Sequence, residues 1–431
     1  MSPLQLAVLM MSLSAPAPKG GGDAGDWPQW RGPNRDDISK ETGLLKTWPA
    51  DGPKLLWKSE KCGVGFGSSV TSAGRIFLMG GDDAVTGTNE FLLCLDAKEG
   101  KELWRKPLNT ADGAYNHGWG SGPRGTPTVD GEFVYVLGAK GDLQCFGVKE
   151  GNLVWAKNLV KDFNGVIPVW GYSESVLIDG ARLLVTPGGP KGTVACLKKA
   201  TGDVVWQSKG FTEPAGYSSI VINEVEGVKH YVQQTMQSVS GLGLDGQILW
   251  RRADLKYAVA VIPTPVVYKN YVFVTAGYGA GCSLIRLTKD GSGLKADLVY
   301  KNKAIANHHG GVVRVGDFIY GHSDSGGWTC LEFLKSDKAE GPEPKWQSRK
   351  TDKGSVTYAD GSLYLYGEDN GAVVKIAASP EEYKEEGRFK LPFASQIPRR
   401  SGKRWAHPVV SNGKLYVRDH EYLMCFDLVG K

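Results

Sequence analysis

The sequence predicts an all-β chain: an eight-bladed β-propeller with four-stranded antiparallel blades, its ring closed by an N-terminal strand that completes the last blade. Three observations predict it. An aromatic-ended segment recurs every 43 to 51 residues, short alternating apolar runs are separated by Gly-containing turns, and one orphan copy of the recurring segment opens the series.

The segment is clearest at Asp96-Ala97-Lys98-Glu99-Gly100-Lys101-Glu102-Leu103-Trp104. It returns in the stretches ending at Trp155 and Trp206, shortens before Trp250, and weakens in the copies ending at Tyr300, Trp346 and Phe389. Within a unit, Thr126-Pro127-Thr128-Val129 reads as the inner strand, Phe133-Val134-Tyr135-Val136-Leu137 as the second and Leu143-Gln144-Cys145-Phe146 as the third. The fourth carries the tryptophan, and Gly-Asp turns lie between. After Phe389 only three strands remain, around Pro408-Val409-Val410, Lys414-Leu415-Tyr416-Val417 and Leu423-Met424-Cys425-Phe426-Asp427. The missing fourth is the orphan Lys54-Leu55-Leu56-Trp57, and a seven-bladed ring would leave a strand unpaired.

The repeated tryptophans are expected to be structural, each indole wedged between neighbouring sheets. Cys94, Cys145 and Cys196 each precede their turn glycine by six residues, and Cys330 and Cys425 occupy matching third strands. Equivalent positions in different blades point into different layers, so these read as small buried thiols rather than as disulfides.

Ahead of the repeats, the apolar run Leu4 to Leu13 and Ser14-Ala15-Pro16-Ala17-Pro18 resemble the core and exit of a secretory signal peptide that lacks a basic start. Residues 1–22 are therefore expected to be a leader and spacer, 23–52 an extension packing on the propeller, and 53–431 the propeller. Export places the protein in the periplasm or outside a bacterial cell. Fifty-one basic residues are scattered among 46 acidic ones, for a net charge of +5 without a basic block, which excludes nucleic acid as the expected partner. No apolar stretch approaches the length of a membrane span, and a monomer is expected.

The repeat units resemble the PQQ-like propeller repeats, whose signature is an Ala/Asp-x-x-x-Gly-x-x-x-Trp docking motif. That family contains the quinoprotein alcohol dehydrogenases and the scaffold propeller of the outer-membrane barrel-assembly machinery. The resemblance covers residues 50 to 431, most strongly the first four units. Further segments are similar to secreted single-propeller proteins of the planctomycete type: Trp27-Pro28-Gln29-Trp30-Arg31-Gly32-Pro33-Asn34, Ala215-Gly216-Tyr217-Ser218-Ser219, Gly277-Tyr278-Gly279-Ala280-Gly281-Cys282 and Asn307-His308-His309-Gly310-Gly311.

Residues just before each inner strand face a common channel, and three of the stretches leading there are long. Together they nominate His117, Trp119, Arg124, Trp170, Tyr172, Tyr217, Tyr278, Asn307, His308, His309, Lys353, Arg404, Trp405 and His407 as ligand- or partner-binding residues at the channel mouth. No catalytic residue is nominated. A metal site would draw on His117, His308, His309 and His407, but adjacent histidines on a strand point to opposite faces and no carboxylate accompanies them at ligand spacing. Resemblance to the dehydrogenases would imply PQQ with calcium. Those enzymes carry a vicinal cysteine pair and acidic and amide calcium ligands, whereas no two cysteines are adjacent here and no Cys-x-x-Cys-His is present. No Gly-x-Ser-x-Gly elbow supports hydrolysis. Asp23, Asp26, Asp36 and Asp37 read as solvated. The expected function is an exported, non-catalytic propeller without a cofactor that binds a protein or a polymer such as a polysaccharide at its channel mouth. The alternative is a PQQ-dependent or other small-molecule oxidoreductase using the channel as active site.

Overall fold

Alternating apolar strands with tight turns pair, in the computed structural model, into eight four-stranded antiparallel sheets. The described residues are 25–82, 89–108, 113–257, 259–334 and 340–429, so the leader expected in 1–22 lies outside them. The first blade is Val70–Ser72, Arg75–Gly81, Glu90–Asp96 and Glu102–Pro107, and the next six repeat that order. The last is Val409–Ser411, Lys414–Asp419 and Tyr422–Asp427, completed on its outer edge by Leu55–Ser59. Trp57 there pairs with Cys425 and Ser59 with Leu423, so the start of the ring is stitched to its end.

The recurring aromatic explains how the blades stack. Its cross-strand partner in the third strand is cysteine opposite Trp57, Trp104, Trp155, Trp206 and Trp346, and glycine (Gly241) opposite Trp250. Where the aromatic is the smaller Tyr300 or Phe389, the partner grows to Leu284 or Val373. An indole needs a small neighbour, and this accounts for five of the seven cysteines; all seven are buried and unpaired. Each indole also reaches the following blade. A Cβ on Gly100 would sit 2.3 Å from Trp57, and one on Gly202 2.8 Å from Trp155. Trp155 Nε1 donates to Lys199 O at 2.9 Å and Trp206 Nε1 to Leu244 O at 2.9 Å, in the blade ahead.

All eight outer strands slip register by one residue, seven of them immediately before the aromatic. The inserted residues include Leu56, Leu103, Val154 and Val205, which are exposed. A bulge kinks the outer edge of each blade and makes it a poor template for another strand. Near the axis the chain has no room for side chains: a Cβ on Gly67 would meet Gly125 O at 2.2 Å, and one on Gly310 would meet Gly354 O at 1.7 Å. Among the described residues one short helix, Leu159–Phe163, departs from the all-β pattern; Asn158 caps it by accepting from Val160 N and Lys161 N. Among the described residues no helix is long and apolar enough to cross a membrane.

The segment ahead of the ring corrects the expectation of solvated aspartates. Asp37 is fully buried and Asp26 nearly so, and burial raises the carboxyl of Asp36 above its ordinary range; Asp23 lies outside the described residues. The segment crosses one end of the ring and bonds to blade after blade. Trp27 pairs with Thr71, Pro28 O accepts from Val129 N, and Arg35 donates to Ser175 O and Val176 O. Arg31 donates to Thr264 O and Val312 O, and Asp37 O accepts from Tyr358 N. Arg31, Arg35 and Asp37 all hold positive φ (62°, 58° and 58°), a conformation ordinary residues avoid; the Arg31 and Arg35 side chains reach the ring through these bonds, and the Asp37 carboxylate accepts from Arg31 Nε.

Candidate functional site

Because Trp30 and Arg31 cover one end, the channel is a pocket open at the other. The empty space in and above it, open solvent at the mouth included, is about 940 Å³, and Trp30, Arg31, Thr264 and Gly311 are among its lining. Eight of the fourteen nominated residues line it: Trp119, Arg124, Trp170, Tyr217, Tyr278, His308, His309 and Trp405. Tyr278, at 55 % exposure, and Trp119, at 40 %, mark the open rim.

Arg124 sits in the loop ahead of the second blade's inner strand. Its Nε donates to Trp170 O at 3.0 Å and Nη2 to Gly120 O at 3.1 Å, while its guanidinium carbon lies 4.7 Å from the Phe66 ring centre and 5.9 Å from that of Trp405. Nη1 is buried with no hydrogen-bond partner among the described residues. Burial pulls this guanidinium below its ordinary range. Opposite it, Trp405 stacks on His309 with centroids 4.2 Å apart and planes at 15°, and its Nε1 donates to Glu368 Oε2 at 3.1 Å. His309 packs on His308 at 3.8 Å. Burial, then the neighbouring His308, Lys353 and Arg124, hold His309 well below the imidazole range; burial and Lys353 take His308 down to about 4. Both rings are therefore neutral near pH 7. Burial pushes Glu368 up to about 7, and Glu90, whose Oε2 accepts from Ala139 N and which feels the charge of Arg124, up to about 8.

Both members of the histidine pair reach the pocket, which corrects the expectation that only one would face inward. Residues 308 and 309 lie ahead of the strand Val312–Val315 in irregular chain, so strand alternation does not apply to them.

Six nominated residues lie elsewhere. Tyr172 is buried in the packing between the second and third blades, its hydroxyl donating to Pro187 O at 2.7 Å; its neighbour Ser173 lines the pocket instead. Asn307 donates to His322 O at 3.0 Å inside the sixth blade. Lys353 bonds Asp324 at 2.8 Å and His308 Nδ1 at 3.2 Å, behind the wall. Arg404 bonds Asp419 at 3.2 Å and Asp369 O at 2.8 Å, anchoring the loop that presents Trp405. His117 packs on Tyr115 at 4.3 Å. His407 lies on the floor side, 4.5 Å from Trp30 and 3.3 Å from Asp37.

Sequence reasoning nominated neither Trp30, Arg31 nor Phe66. The first two stand in a short segment dense in tryptophan, arginine and aspartate. That composition is unusual for a solvated leader and was the available signal.

The donor set does not fit PQQ with calcium. The pocket wall carries no carboxylate, and among the described residues no cluster of three or more His, Cys, Asp or Glu could hold a metal. Every cysteine is unpaired and buried, and five of them sit opposite the wedge tryptophans.

Comparison with known proteins gives the family. The family described as "Outer membrane protein assembly factor BamB" matches residues 88–341. The chain is 25% identical over 313 residues to outer membrane protein assembly factor BamB of Yersinia pestis, covering 67% of this chain and 71% of that protein. It is 27% identical over 226 residues to a 1-butanol dehydrogenase (cytochrome c) of Thauera butanivorans, covering 41% of this chain and 31% of the other. Among solved structures, BamB from Moraxella catarrhalis superposes with a TM-score of 0.56 at 13% identity, over 85% of this chain and 95% of that one. The quinohemoprotein alcohol dehydrogenase of Comamonas testosteroni superposes with a TM-score of 0.60 at 12% identity, over 94% and 81%. At such identities the superpositions show a shared fold.

Proposed function

The chain belongs to the PQQ-like β-propeller family described as outer membrane protein assembly factor BamB, and from that premise we propose that it is an exported, non-catalytic scaffold that binds a protein at the open mouth of its channel. The observation that carries this reading is the blind, aromatic-rimmed pocket around Arg124. Arg and Trp are favoured anchors where two surfaces meet, and a rigid ring presents them without an ordering cost. The assembly-factor relatives support a protein rather than a polysaccharide as partner. The dehydrogenase relative supports an oxidoreductase as the second reading, against which stands the poor fit of the wall to its cofactor.

The test is capture. Immobilised wild-type chain is expected to retain a defined protein from native envelope extract, and a chain carrying Arg124→Ala with Trp405→Ala is expected to lose it while melting as a folded ring. Equal capture by both would reject the mouth as the binding surface. Addition of PQQ with calcium is expected to leave the melting temperature unchanged; a rise accompanied by dye-linked alcohol oxidation would transfer the pocket to the oxidoreductase reading.

A further inference from the structure

Buried nitrogens without partners are scattered through the ring, and three of them belong to side chains of one pocket. Arg124 Nη1, Trp170 Nε1 and His309 Nδ1 are each buried without a hydrogen-bond partner among the described residues, and all three side chains line the same pocket. Two of these are obligate donors, and a buried donor left unmade is costly. An occupant that brings acceptors would complete these donors.

Its charge follows from the neighbours. Arg31 on the floor is neutralised by Asp37 at 2.6 Å, and Lys353 behind the wall by Asp324 at 2.8 Å. Arg124 makes no ion pair with a carboxylate among the described residues: it donates to the main-chain oxygens of Trp119, Gly120 and Trp170. The pocket thus holds one guanidinium without an ion-pair partner, while the buried acids Glu368 and Glu90 lie outside its lining, raised to about 7 and about 8. Of the remaining lining, Trp30, Phe66, Trp405 and Ile262 are apolar and Ser173, Ser175, Ser219 and Thr264 add hydroxyls, and Trp30 and Arg31 lie across one end, bonded to Thr264.

We propose that the pocket takes a flat apolar group bearing a single carboxylate, with the anion on Arg124 and Trp170 Nε1 and the body between Phe66, Trp405 and Trp30. The proposal rests on the reading that the channel mouth is a binding site. It also specifies what enters: one anion on one aromatic or apolar body, whether a free aryl carboxylate or the C-terminal aromatic residue of a polypeptide. A phosphate dianion would remain under-neutralised by one guanidinium, and a neutral sugar would leave Arg124 without a counter-charge.

The experiment compares N-acetylphenylalanine with N-acetylphenylalaninamide, which differ in the carboxylate alone, by calorimetric titration into the full chain. The acid is expected to bind about tenfold or more tightly than the amide. Arg124→Gln is expected to abolish that discrimination, and Arg124→Lys to keep part of it, with thermal melting showing each variant folded. Equal affinity for acid and amide in the wild type, or discrimination that survives in Arg124→Gln, would overturn the proposal. A short peptide ending in a free phenylalanine distinguishes the two sources. Tighter binding than the single residue points to a polypeptide terminus, weaker binding to a free small acid. The capture assay reports separately: capture lost in the double variant with acid and amide equal sinks only this inference, while acid selectivity with capture unchanged sinks only the scaffold reading.

Discussion

Two arginines face the same pocket from opposite ends, and their surroundings differ in one respect that decides their roles. On the floor, Arg31 is 1% exposed and every nitrogen is matched: Nε to the Asp37 carboxylate, Nη1 to Thr264 O and Nη2 to Val312 O. At the mouth, Arg124 has two nitrogens on main-chain carbonyls, a third with no acceptor, and near it Glu90, whose carboxyl burial raises to about 8. A buried cation with a complete set of partners is a fastening, and one that lacks a counter-anion beside an open cavity is available to a ligand. The molecule uses the first to shut its channel and leaves the second at the entrance.

This contrast can be broken by substitution. The largest effect is expected for Asp37→Ala, which leaves Arg31 buried and uncompensated. Stability in urea should fall by about 3–5 kcal/mol, and a loss below about 1 kcal/mol would show that the floor is not held by this pair. Glu90→Gln should have an intermediate effect that depends on pH. The folded-state pKa of Glu90 is raised to about 8, so the folded chain binds the proton more tightly than the unfolded chain does. The wild type is then destabilised as pH rises from about 5 to about 8, whereas glutamine, which cannot ionise but can still accept from Ala139 N, removes that slope. Melting curves should show the variant several degrees more stable at about pH 8 and equal to wild type at about pH 5. Parallel pH profiles would mean that Glu90 is ionised beside Arg124 and that the mouth already has its counter-anion. The smallest change in stability is expected for Arg124→Ala, about 1–2 kcal/mol from the lost carbonyl contacts. A loss as large as that of Asp37→Ala would make the two arginines equivalent and Arg124 another fastening.

The ring was legible because its determinants are local and repeat. The aromatic that ends each unit, the turn glycine on which the preceding indole rests and the cysteine opposite it recur at fixed offsets, so Trp57 and Cys425 could be matched as one blade although 368 positions separate them. The lining of the pocket was legible in part. Arg124, Tyr217 and Trp405 precede inner strands and do face the axis. Tyr172 holds the corresponding position but turns into the interblade core, where its hydroxyl finds Pro187 O and its ring packs against Gly141, and Ser173 takes the axial place. One residue of slip in a loop reverses which side chain points inward, and no period constrains a loop. His308 and His309 show the same freedom with the opposite result, both turning to the pocket.

The order of strands, the number of blades and the closing of the ring were decided by the sequence itself, because each rests on a pattern that repeats along the chain and needs no knowledge of distant neighbours. That the channel has a floor was decided only in three dimensions. Trp30, Arg31 and Asp37 belong to no repeat, and their partners Thr264, Val312 and His407 are more than 200 residues away. Burial of those charges became visible only once the ring had brought the distant carbonyls and the short segment together.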